Sequence, residues 1–403
     1  MHILLVHQVF LPTDEPGMTQ HFEFARHLAE AGQRVTVLAG TRSYLTGKPV
    51  SMLRRETLAP GLEVLHCAVW SSVHRSFLHR TIGFLSFMLS SLWQGLGVHH
   101  VDLVWSTSPP LPQVCTAWTL AWLKRVPLVF EVRDLWPAVA VELGVLRNRL
   151  LIAVARAAER FLYRHARRVV VNSPGFIPYL RRTGVPEAKI ALVPNGADTS
   201  LYDPRASGDR FRQAHNLQGK FVALYAGAHG LSNDLGIVLQ AADRLRDDPR
   251  LVFVLVGDGK EKASLMAQGE RMGLENVHFL PAAAKIDMPW VLAGADCGIA
   301  ILRPIPLFAT TYPNKVFDYM AAGKPVVLAI EGVIRDVVEG AGAGVAVPPG
   351  DPQALAEAVR SLAADPAQAR RMGERGRTCV EKRFDRRDLA RQLEQVLLEA
   401  SRR

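Results

Sequence analysis

Short runs of β-branched and aliphatic residues alternate along the chain with longer amphipathic segments. The runs include ILLVHQVF (3–10), RVTVLAG (34–40), PLVFEVRD (127–134), KFVALYAG (220–227) and LVFVLVGDG (251–259). Near-continuous apolar strands separated by helices are typical of parallel sheets that are buried on both faces. The pattern therefore predicts an α/β fold.

The series of strands and helices restarts after a polar stretch rich in Gly, Pro and Asp, at 194–211. We place a linker near 197–212, which gives one domain over 1–200 and a second over 201–380. Each is predicted as a doubly wound, Rossmann-like sheet, and the strand C-termini of the two would face a central cleft. Residues 381–403 are predicted to end in an amphipathic helix, with packing back on the first domain as one option.

The segment RSFLHRTIGFLSFMLSSLWQGLGV (75–98) ends in 18 residues without a formal charge, the length of a membrane-spanning candidate. Large apolar side chains repeat at a spacing of three and four residues, and small polar side chains fall on the opposite side. This pattern leaves three interpretations. The segment is a core-facing helix, a helix that also dips into a membrane interface near Arg75, Arg80 and Trp93, or a true span.

Composition narrows the class of protein. A length of 403 residues exceeds that of one ordinary domain, in agreement with the two-domain division. The four cysteines show no CxxC spacing, which favours reduced thiols in a cytosolic compartment over disulfides or a zinc site. The N-terminal MHILLVHQVFLP lacks the basic region and cleavage site of a signal peptide, so it is predicted as a first strand.

The formal net charge of +10 is concentrated in the first half of the chain. Residues 1–205 hold 22 Lys and Arg against 14 Asp and Glu, whereas the remainder holds 26 against 24. Arg156, Arg160 and Arg164 share one face of a predicted helix. This stripe is either a solvated helix surface or a surface that docks on an anionic membrane or a polyprenyl diphosphate. No RNA module or DNA-reading motif accompanies it, so nucleic acid is not an expected partner.

The stretch TTYPNKVFDYMAAGKPVV (310–327) carries the clearest chemical signal. Pro313 suits the first turn of a helix, and the amides of residues 314–316 would then point out of the helix start. With the helix dipole and the charge of Lys315 they form an anion site. Asp318 would accept hydrogen bonds from two vicinal hydroxyls, as a ribose presents them, so the stretch suits a nucleoside diphosphate. The alternative is that Asp318 only satisfies the dipole in the first turn.

The same stretch resembles the donor-site signature of the retaining GT-B glycosyltransferases of family 4, in which Glu-x7-Glu precedes Ala-Met-Ala-x-Gly-x-Pro-Val-Val. Asp318 matches the second acid, which the resemblance implies would hold the ribose. Thr310 stands where the first acid belongs, so a carboxylate contact with the donor sugar stays open. The variant TxxPNKxFDYxAAGKPV is similar to a subgroup that builds bacterial surface polysaccharides, including transferases of N-acetyl amino sugars such as fucosamine.

The resemblance spans nearly the whole chain and assigns 1–200 to the acceptor side and 201–380 to the donor. YAGAHGLSNDLG (225–236) departs from the family, because the Arg and Lys that often clamp the diphosphate are missing. Loop amides, the helix start and Lys315 would then meet the phosphate charge. For His229 the alternative is a solvent-exposed loop histidine. The predicted donor-binding residues are Gly17, Gly227, His229, Gly230, Thr310, Tyr312, Asn314 and Asp318.

The resemblance implies a retaining transfer, which depends on positioning and charge stabilisation more than on a strong base. Lys315 would stabilise the leaving diphosphate, which takes the acceptor proton. In VFEVRDLWP, Asp134 would orient the acceptor, and Arg133 would contact its phosphate or the donor. The alternative for this pair is an internal Arg–Asp contact. No DxD-type cluster is present, so neither a metal nor a cofactor is expected.

The predicted activity is therefore retaining transfer of a sugar, in the first place an N-acetyl amino sugar, from a UDP-sugar to a polyprenyl-diphosphate-linked acceptor. The expected location is the cytoplasm, peripherally at the inner face of the plasma membrane, with an anionic membrane surface as a partner. One alternative is an enzyme that resembles the GT-B UDP-sugar 2-epimerases. The other is a catalytically silent subunit that binds a nucleotide sugar.

Overall fold

The computed structural model of the protein describes residues 1–41, 54–70 and 77–402. These residues form two compact units, and the chain passes between them several times. Unit 1 comprises Met1–Pro12, Met18–Pro194 and the chain from Arg387 onward, and unit 2 comprises Thr13–Gly17 and Asn195–Arg386.

A single sheet runs through the described part of unit 1. Its strands are β1 (His2–Val6), β2 (Arg34–Gly40), β3 (Arg55–Ala59), β4 (Leu62–Cys67), β5 (Leu103–Ser108), β6 (Leu128–Val132), β7 (Arg168–Val171) and β8 (Ile190–Leu192). They lie in the order β3-β4-β2-β1-β5-β6-β7-β8, and all neighbours are parallel except β3 with β4. Every residue of β1, β5 and β6 is buried, as the near-continuous apolar runs predict.

A second, parallel sheet forms unit 2. Its strands are β9 (Phe221–Ala226), β10 (Leu251–Val256), β11 (Val277–Leu280), β12 (Cys297–Ile301), β13 (Val326–Ala329) and β14 (Gly344–Ala346). They lie in the order β11-β10-β9-β12-β13-β14. Alternate residues of β10 enter two separate hydrophobic clusters, Val254 in one and Phe253 in the other, so both faces of the sheet are covered.

Helices pack on both sheets. In the described part of unit 1 they are α1 (Gln20–Glu30), α2 (Phe77–Leu96), α3 (Leu111–Lys124), α4 (Ala138–Glu142), α5 (Arg149–His165) and α6 (Ile177–Arg182). In unit 2 they are α7 (Asp209–Ala214), α8 (Leu235–Asp243), α9 (Lys262–Met272), α10 (Met288–Ala293), α11 (Asn314–Ala321), α12 (Val333–Ala341), α13 (Pro352–Ala364) and α14 (Pro366–Arg383). The last helix, α15 (Arg386–Ser401), packs in unit 1, where Leu389 and Leu393 share a cluster with Ile3 and Leu5.

Both sheets are doubly wound, which confirms the predicted fold class. The strand order reverses where β1 lies beside β5 in unit 1 and where β9 lies beside β12 in unit 2. Ligands of such sheets bind outside the carboxyl ends of the strands at this switch point. The residues that follow β1, from His7, and those that follow β9, from Gly227, therefore stand at positions suited to ligands.

Candidate active site

The stretch that the sequence singled out forms α11, with Pro313 as the residue before the first turn. The missing N–H of proline costs no hydrogen bond at this position. The Val316 amide donates to the Pro313 carbonyl oxygen at 3.2 Å. The prediction that the amides of all three residues 314–316 would point outward is therefore wrong for Val316, whose N–H is used inside the first turn.

Lys315 extends from the start of α11 to the end of β9. Its Nζ donates to Tyr225 Oη at 2.7 Å and to Asn233 Oδ1 at 3.3 Å. A Cβ on Gly227 would come within 3.0 Å of Nζ, and the φ of Gly227 is +148°, so this position requires glycine. Burial lowers the pKa of Lys315 to about 7. Within the residues that the structure describes, no carboxylate forms an ion pair with this amine.

His229 follows β9 and is fully buried, so the alternative of a solvent-exposed loop histidine is wrong. The centre of its ring lies 6.0 Å from that of Tyr225 and 6.2 Å from that of Phe279. Neither ring nitrogen has a hydrogen-bond partner in the described parts of the chain. Burial, together with the charge of Lys262, lowers the pKa of His229 to about 4, so the ring is neutral near neutral pH. A neutral imidazole offers one N–H and one lone pair.

Asp318 lies in the second turn of α11 and forms an ion pair with Lys285, whose Nζ stands 2.6 Å from its Oδ1. The side chains are 16% and 11% exposed, respectively. Lys285 Nζ also donates to Tyr202 Oη at 3.0 Å. The alternative that Asp318 only satisfies the dipole of the first turn is wrong, because this carboxylate lies beyond that turn and has a charged partner. The sequence did not reveal Lys285, which lies 33 residues away in the loop after β11.

Two other predicted donor residues make contacts inside unit 2. The Tyr312 ring is buried, with its centre 5.6 Å from that of Phe317 and 6.1 Å from that of Phe384. The Thr310 hydroxyl donates to the Leu307 carbonyl oxygen at 2.6 Å. Tyr312 thus contributes to the core of unit 2, and a role of either residue in donor binding stays a prediction.

The predicted loop glycines differ in what they require. Gly17 ends the short segment Thr13–Gly17, has a φ of +142°, and belongs to unit 2. A Cβ on Gly230 would meet nothing closer than Asn233 Nδ2 at 3.8 Å, so this position tolerates other residues. Of the two loop glycines after β9, Gly227 is therefore the one that the packing of Lys315 demands.

In unit 1, Arg133 and Asp134 directly follow β6. The Arg133 side chain is buried, with Nη1 3.4 Å from His21 Nδ1 and Nη2 3.0 Å from Met18 Sδ. Asp134 is exposed. The guanidinium is thus held within unit 1. Although Asp134 is exposed as a residue, desolvation of its carboxyl outweighs the charge of Arg133 and raises the pKa of Asp134 to about 6. The roles predicted for both residues stay predictions.

Sequence reasoning missed a buried network at the carboxyl ends of β1 and β6. His7 Nε2 lies 3.1 Å from His21 Nδ1, and His21 Nε2 lies 2.9 Å from Glu131 Oε2. Trp105 Nε1 donates to the same carboxylate oxygen at 3.1 Å. Burial raises the pKa of Glu131, but His21 and the charge of Arg133 outweigh it and hold that pKa below its ordinary value. The available signal was an acid inside an otherwise apolar strand, VFEV, which requires a buried partner.

Helix α2 presents its leucine stripe outward. Leu85 is 53% exposed, Leu89 72% and Trp93 74%. The small polar side chains point inward, because Ser90 Oγ and Gln94 Nε2 donate to backbone carbonyl oxygens at the end of β4, at 2.8 and 2.9 Å. Helix α2 therefore does face the core of unit 1, through the fully buried Phe87, but the exposed leucines are not on the core-facing side. None of the helices among the described residues is long and apolar enough to cross a membrane.

The arginine stripe lies on α5, where Arg156, Arg160 and Arg164 are all exposed. Helix α3 packs against both α2 and α5. At the second contact the Trp118 ring meets the Phe161 ring, with centres 4.8 Å apart. Arg75 and the side chain of Arg80 fall outside the described residues, and their predicted membrane role stays a prediction.

Exposed apolar side chains continue across α3 and α5. Trp122 is 66% exposed, Leu150 72% and Val154 58%. The one acid in the sequences of α2, α3 and α5 is Glu159, which is buried and accepts hydrogen bonds from the hydroxyls of Tyr163 and Tyr179. The three helices thus combine exposed apolar and cationic side chains without an exposed acid.

Two family models match the chain. The model described as Glycosyl transferase 4-like domain matches residues 17–196, and the model described as Glycosyl transferases group 1 matches residues 220–365. The first match falls almost entirely in unit 1 and the second in unit 2.

Similar proteins are found in bacteria. The chain is 25% identical over 320 residues to an Escherichia coli K12 protein that carries the name colanic acid biosynthesis glycosyl transferase WcaI, over 77% of this chain and 78% of that protein. Among solved structures, sucrose-phosphate synthase from Thermosynechococcus elongatus has a TM-score of 0.81 at 20% identity, over 99% and 98% of the two chains. HepE of Anabaena in complex with UDP and glucose has a TM-score of 0.76 at 20% identity, over 98% and 99%. The structural likenesses show the fold.

Proposed function

Because the chain belongs to the group 1 family of GT-B glycosyltransferases, we propose that it is a retaining transferase of bacterial surface-polysaccharide synthesis. It moves a sugar from a UDP-sugar to a polyprenyl-diphosphate-linked acceptor. The relative named for colanic acid biosynthesis supports the pathway, and HepE with bound UDP supports the nucleotide. An N-acetyl amino sugar as the transferred group rests on the resemblance of residues 310–327 to transferases of such sugars.

The observation that carries the proposal is the buried amine of Lys315, which has no countercharge among the described residues. A buried amine is costly unless a ligand supplies negative charge, and groups with strongly shifted pKa values cluster at functional sites. The diphosphate of a UDP-sugar supplies that charge at the start of α11, where the helix dipole adds to the attraction. His229 is neutral, so it donates its N–H to a phosphate oxygen without adding a second buried charge.

Asp318 is proposed to hold the ribose. An ionised carboxylate accepts up to about four hydrogen bonds. Asp318 therefore has capacity for Lys285 and for two vicinal hydroxyls at the same time. Thr310 stands in the place of the first family acid. The hydroxyl of Thr310 or nearby backbone groups would then position the donor sugar.

The chemistry exchanges one bond to the sugar for another. The bond between C1 and the diphosphate oxygen breaks, and a bond from C1 to the acceptor oxygen forms on the same face. The hydroxyl proton of the acceptor passes to the leaving diphosphate, whose growing charge Lys315 stabilises. Asp134 orients the acceptor, and Arg133 contributes positive charge for the phosphate of the acceptor or the donor.

A lipid-linked acceptor places the enzyme at the cytoplasmic leaflet of the plasma membrane. We define the docking face as the exposed side chains of α2, α3 and α5, which include Leu89, Trp93, Trp122 and Val154. Apolar side chains of this kind enter the interface, and the arginine stripe of α5 attracts anionic headgroups. The absence of an exposed acid on the three described helices removes repulsion from such a surface.

The first test is thermal stabilisation by UDP, GDP, ADP, CMP and NAD, followed by turnover of UDP-sugars. UDP at a hundred times its Kd should stabilise the protein by about 2.7 kcal/mol, and the Lys315→Met variant should respond far less. A response to GDP or ADP alone would keep a transferase and reject the UDP donor. Equal responses of the parent and Lys315→Met would remove Lys315 from the diphosphate site.

A further inference from the structure

The switch point of unit 1 holds buried polar atoms that lack partners among the described residues. They are His7 Nδ1, Gln8 Oε1 and Thr107 Oγ1. These three residues are 3%, 7% and 0% exposed, in that order. His7 and Gln8 follow β1, and Thr107 lies near the carboxyl end of β5, the neighbouring strand. Buried polar groups are nearly always hydrogen-bonded, so these atoms require a ligand or water.

The proton positions at His21 follow from a neighbour that can only donate. Arg133 Nη1 lies 3.4 Å from His21 Nδ1, and a guanidinium has no lone pair to offer. His21 Nδ1 is therefore the unprotonated nitrogen. Its Nε2 carries the proton and donates it to Glu131 Oε2 at 2.9 Å. A second proton on His21 would turn an N–H toward the guanidinium and place two positive charges together.

The same reasoning fixes the tautomer of His7. Its Nε2 lies 3.1 Å from His21 Nδ1, which accepts, so His7 Nε2 must donate. His7 Nδ1 is then a bare lone pair. Burial, with the charge of Arg133, holds the pKa of His7 well below its ordinary value, so the ring does not take up a second proton near neutral pH. The network therefore ends in a hydrogen-bond acceptor at the carboxyl end of β1.

We propose that His7 Nδ1 accepts a hydrogen bond from a hydroxyl of the acceptor sugar and so positions that sugar in unit 1. The inference rests on the proposed function, in which unit 1 takes the acceptor. A fixed lone pair binds a hydroxyl, which brings a proton, and disfavours a phosphate or carbonyl oxygen, which does not. His21 and Glu131 are positioning residues, because they hold His7 in the tautomer that leaves Nδ1 bare.

The tautomer is tested by NMR on the full chain labelled with ¹⁵N-histidine and saturated with UDP. His7 should show a protonated Nε2 and an unprotonated Nδ1. The probes are methyl glycosides of glucose, galactose, mannose, rhamnose and N-acetylglucosamine, added one at a time. At least one should shift the Nδ1 resonance of His7, and the exposed His99 should not respond. A protonated Nδ1, or no response of His7 to any probe, would overturn the proposal.

Two amide substitutions then separate the two ring nitrogens. In His7→Asn the side-chain oxygen stands near the place of Nδ1, whereas in His7→Gln the amide reaches the place of Nε2 and keeps the contact with His21. The Kd of the responding glycoside should rise about tenfold in His7→Gln and by less than about threefold in His7→Asn. A purely structural role predicts the reverse order, because only the glutamine preserves the buried contact.

A third variant and the nucleotide keep the two hypotheses apart. His99→Gln is the matched surface control and should leave the Kd of the glycoside unchanged. The Kd of UDP should stay the same in all three variants, because UDP binding is assigned to unit 2. Failure of the parent protein to bind UDP would contradict the proposed function. The ¹⁵N shifts of His7 would still decide its tautomer.

Discussion

At Lys315, burial and the ligand act on protonation in opposite directions. The protein lowers the pKa of this amine to about 7, whereas a bound diphosphate favours the charged form. Above pH 7 the free protein therefore holds Lys315 partly neutral, and UDP binding must take up a proton. The affinity for UDP should fall by up to about tenfold per pH unit above that point. Calorimetry at pH 8 in two buffers of different ionisation enthalpy measures the uptake.

The control for this linkage is Lys315→Met. It should abolish the proton uptake and lower the affinity for UDP by about tenfold or more. The affinity for uridine, which lacks the diphosphate, should change little. If the variant takes up the same proton, another group titrates and the role of Lys315 fails.

Asp318 and Lys285 make a second prediction at this scale. Lys285→Met leaves a largely buried carboxylate without its cation, so the free energy of unfolding should fall by about 1–3 kcal/mol in urea denaturation. Adding Asp318→Asn should recover part of this loss, because the uncompensated charge is removed. Losses that simply add would show that the two side chains are not coupled.

Asp318→Asn alone separates the ribose site from the diphosphate site. It should lower the affinities for UDP and for uridine by a similar factor, on the order of tenfold, because both ligands carry the ribose. Isothermal titration of both ligands decides. A loss confined to UDP would assign Asp318 to the diphosphate instead.

At the scale of the elements, the strands were predictable and the orientation of α2 was not. A strand such as β5, buried along its whole length, appears in the sequence as a continuous apolar run. The stripe of α2 has the spacing of a core face. It lies outward because the opposite side of α2 packs on unit 1, where Phe87 is fully buried and Ser90 and Gln94 donate to backbone carbonyl groups at the end of β4.

The candidate site was predictable only where its residues are local. Lys315 and Asp318 lie in one helix, and Pro313 indicates its start in the sequence. Lys285 reaches Asp318 across 33 residues, and His21 reaches Glu131 across 110. Such pairs depend on the order of the strands in each sheet, which no local pattern encodes.

The docking face yields the prediction at the scale of elements. Replacing Arg156 and Arg160 by Ser should weaken binding to vesicles of phosphatidylglycerol and phosphatidylcholine by roughly thirtyfold, at about 1 kcal/mol per arginine. Co-sedimentation at low salt measures the partition. The matched control replaces Arg370 and Arg371, two exposed arginines of α14 in unit 2, by Ser. Equal losses in both variants would show that net charge, and not the face, governs the binding.

An apolar substitution tests the same face without changing charge. Trp93→Ser should weaken vesicle binding to a similar degree at low and high salt, because burial of the indole is not screened by ions. The arginine variants should instead lose their difference from the parent as salt rises. A tryptophan variant that binds like the parent would confine the docking to electrostatic contacts.

At the scale of the whole molecule, the end of the chain completes the core of the unit in which the chain begins. Leu393 of α15 is 1% exposed and shares a cluster with Leu5 of β1. Leu393→Ala should therefore lower the free energy of unfolding of unit 1 by about 2–5 kcal/mol. Hydrogen exchange should show faster opening of the β1 amides, with the β9 amides and UDP affinity unchanged.

The reciprocal variant makes that inference specific. Leu355 of α13 is fully buried in a cluster with Tyr225, so Leu355→Ala removes the same side chain from unit 2. It should speed hydrogen exchange of the β9 amides and leave the β1 amides protected. The affinity for UDP should fall, because the donor site opens more often. If either variant loosens both strands to the same extent, the two units unfold as one cooperative body. The effect of the last helix would then be a property of the whole chain and not of unit 1.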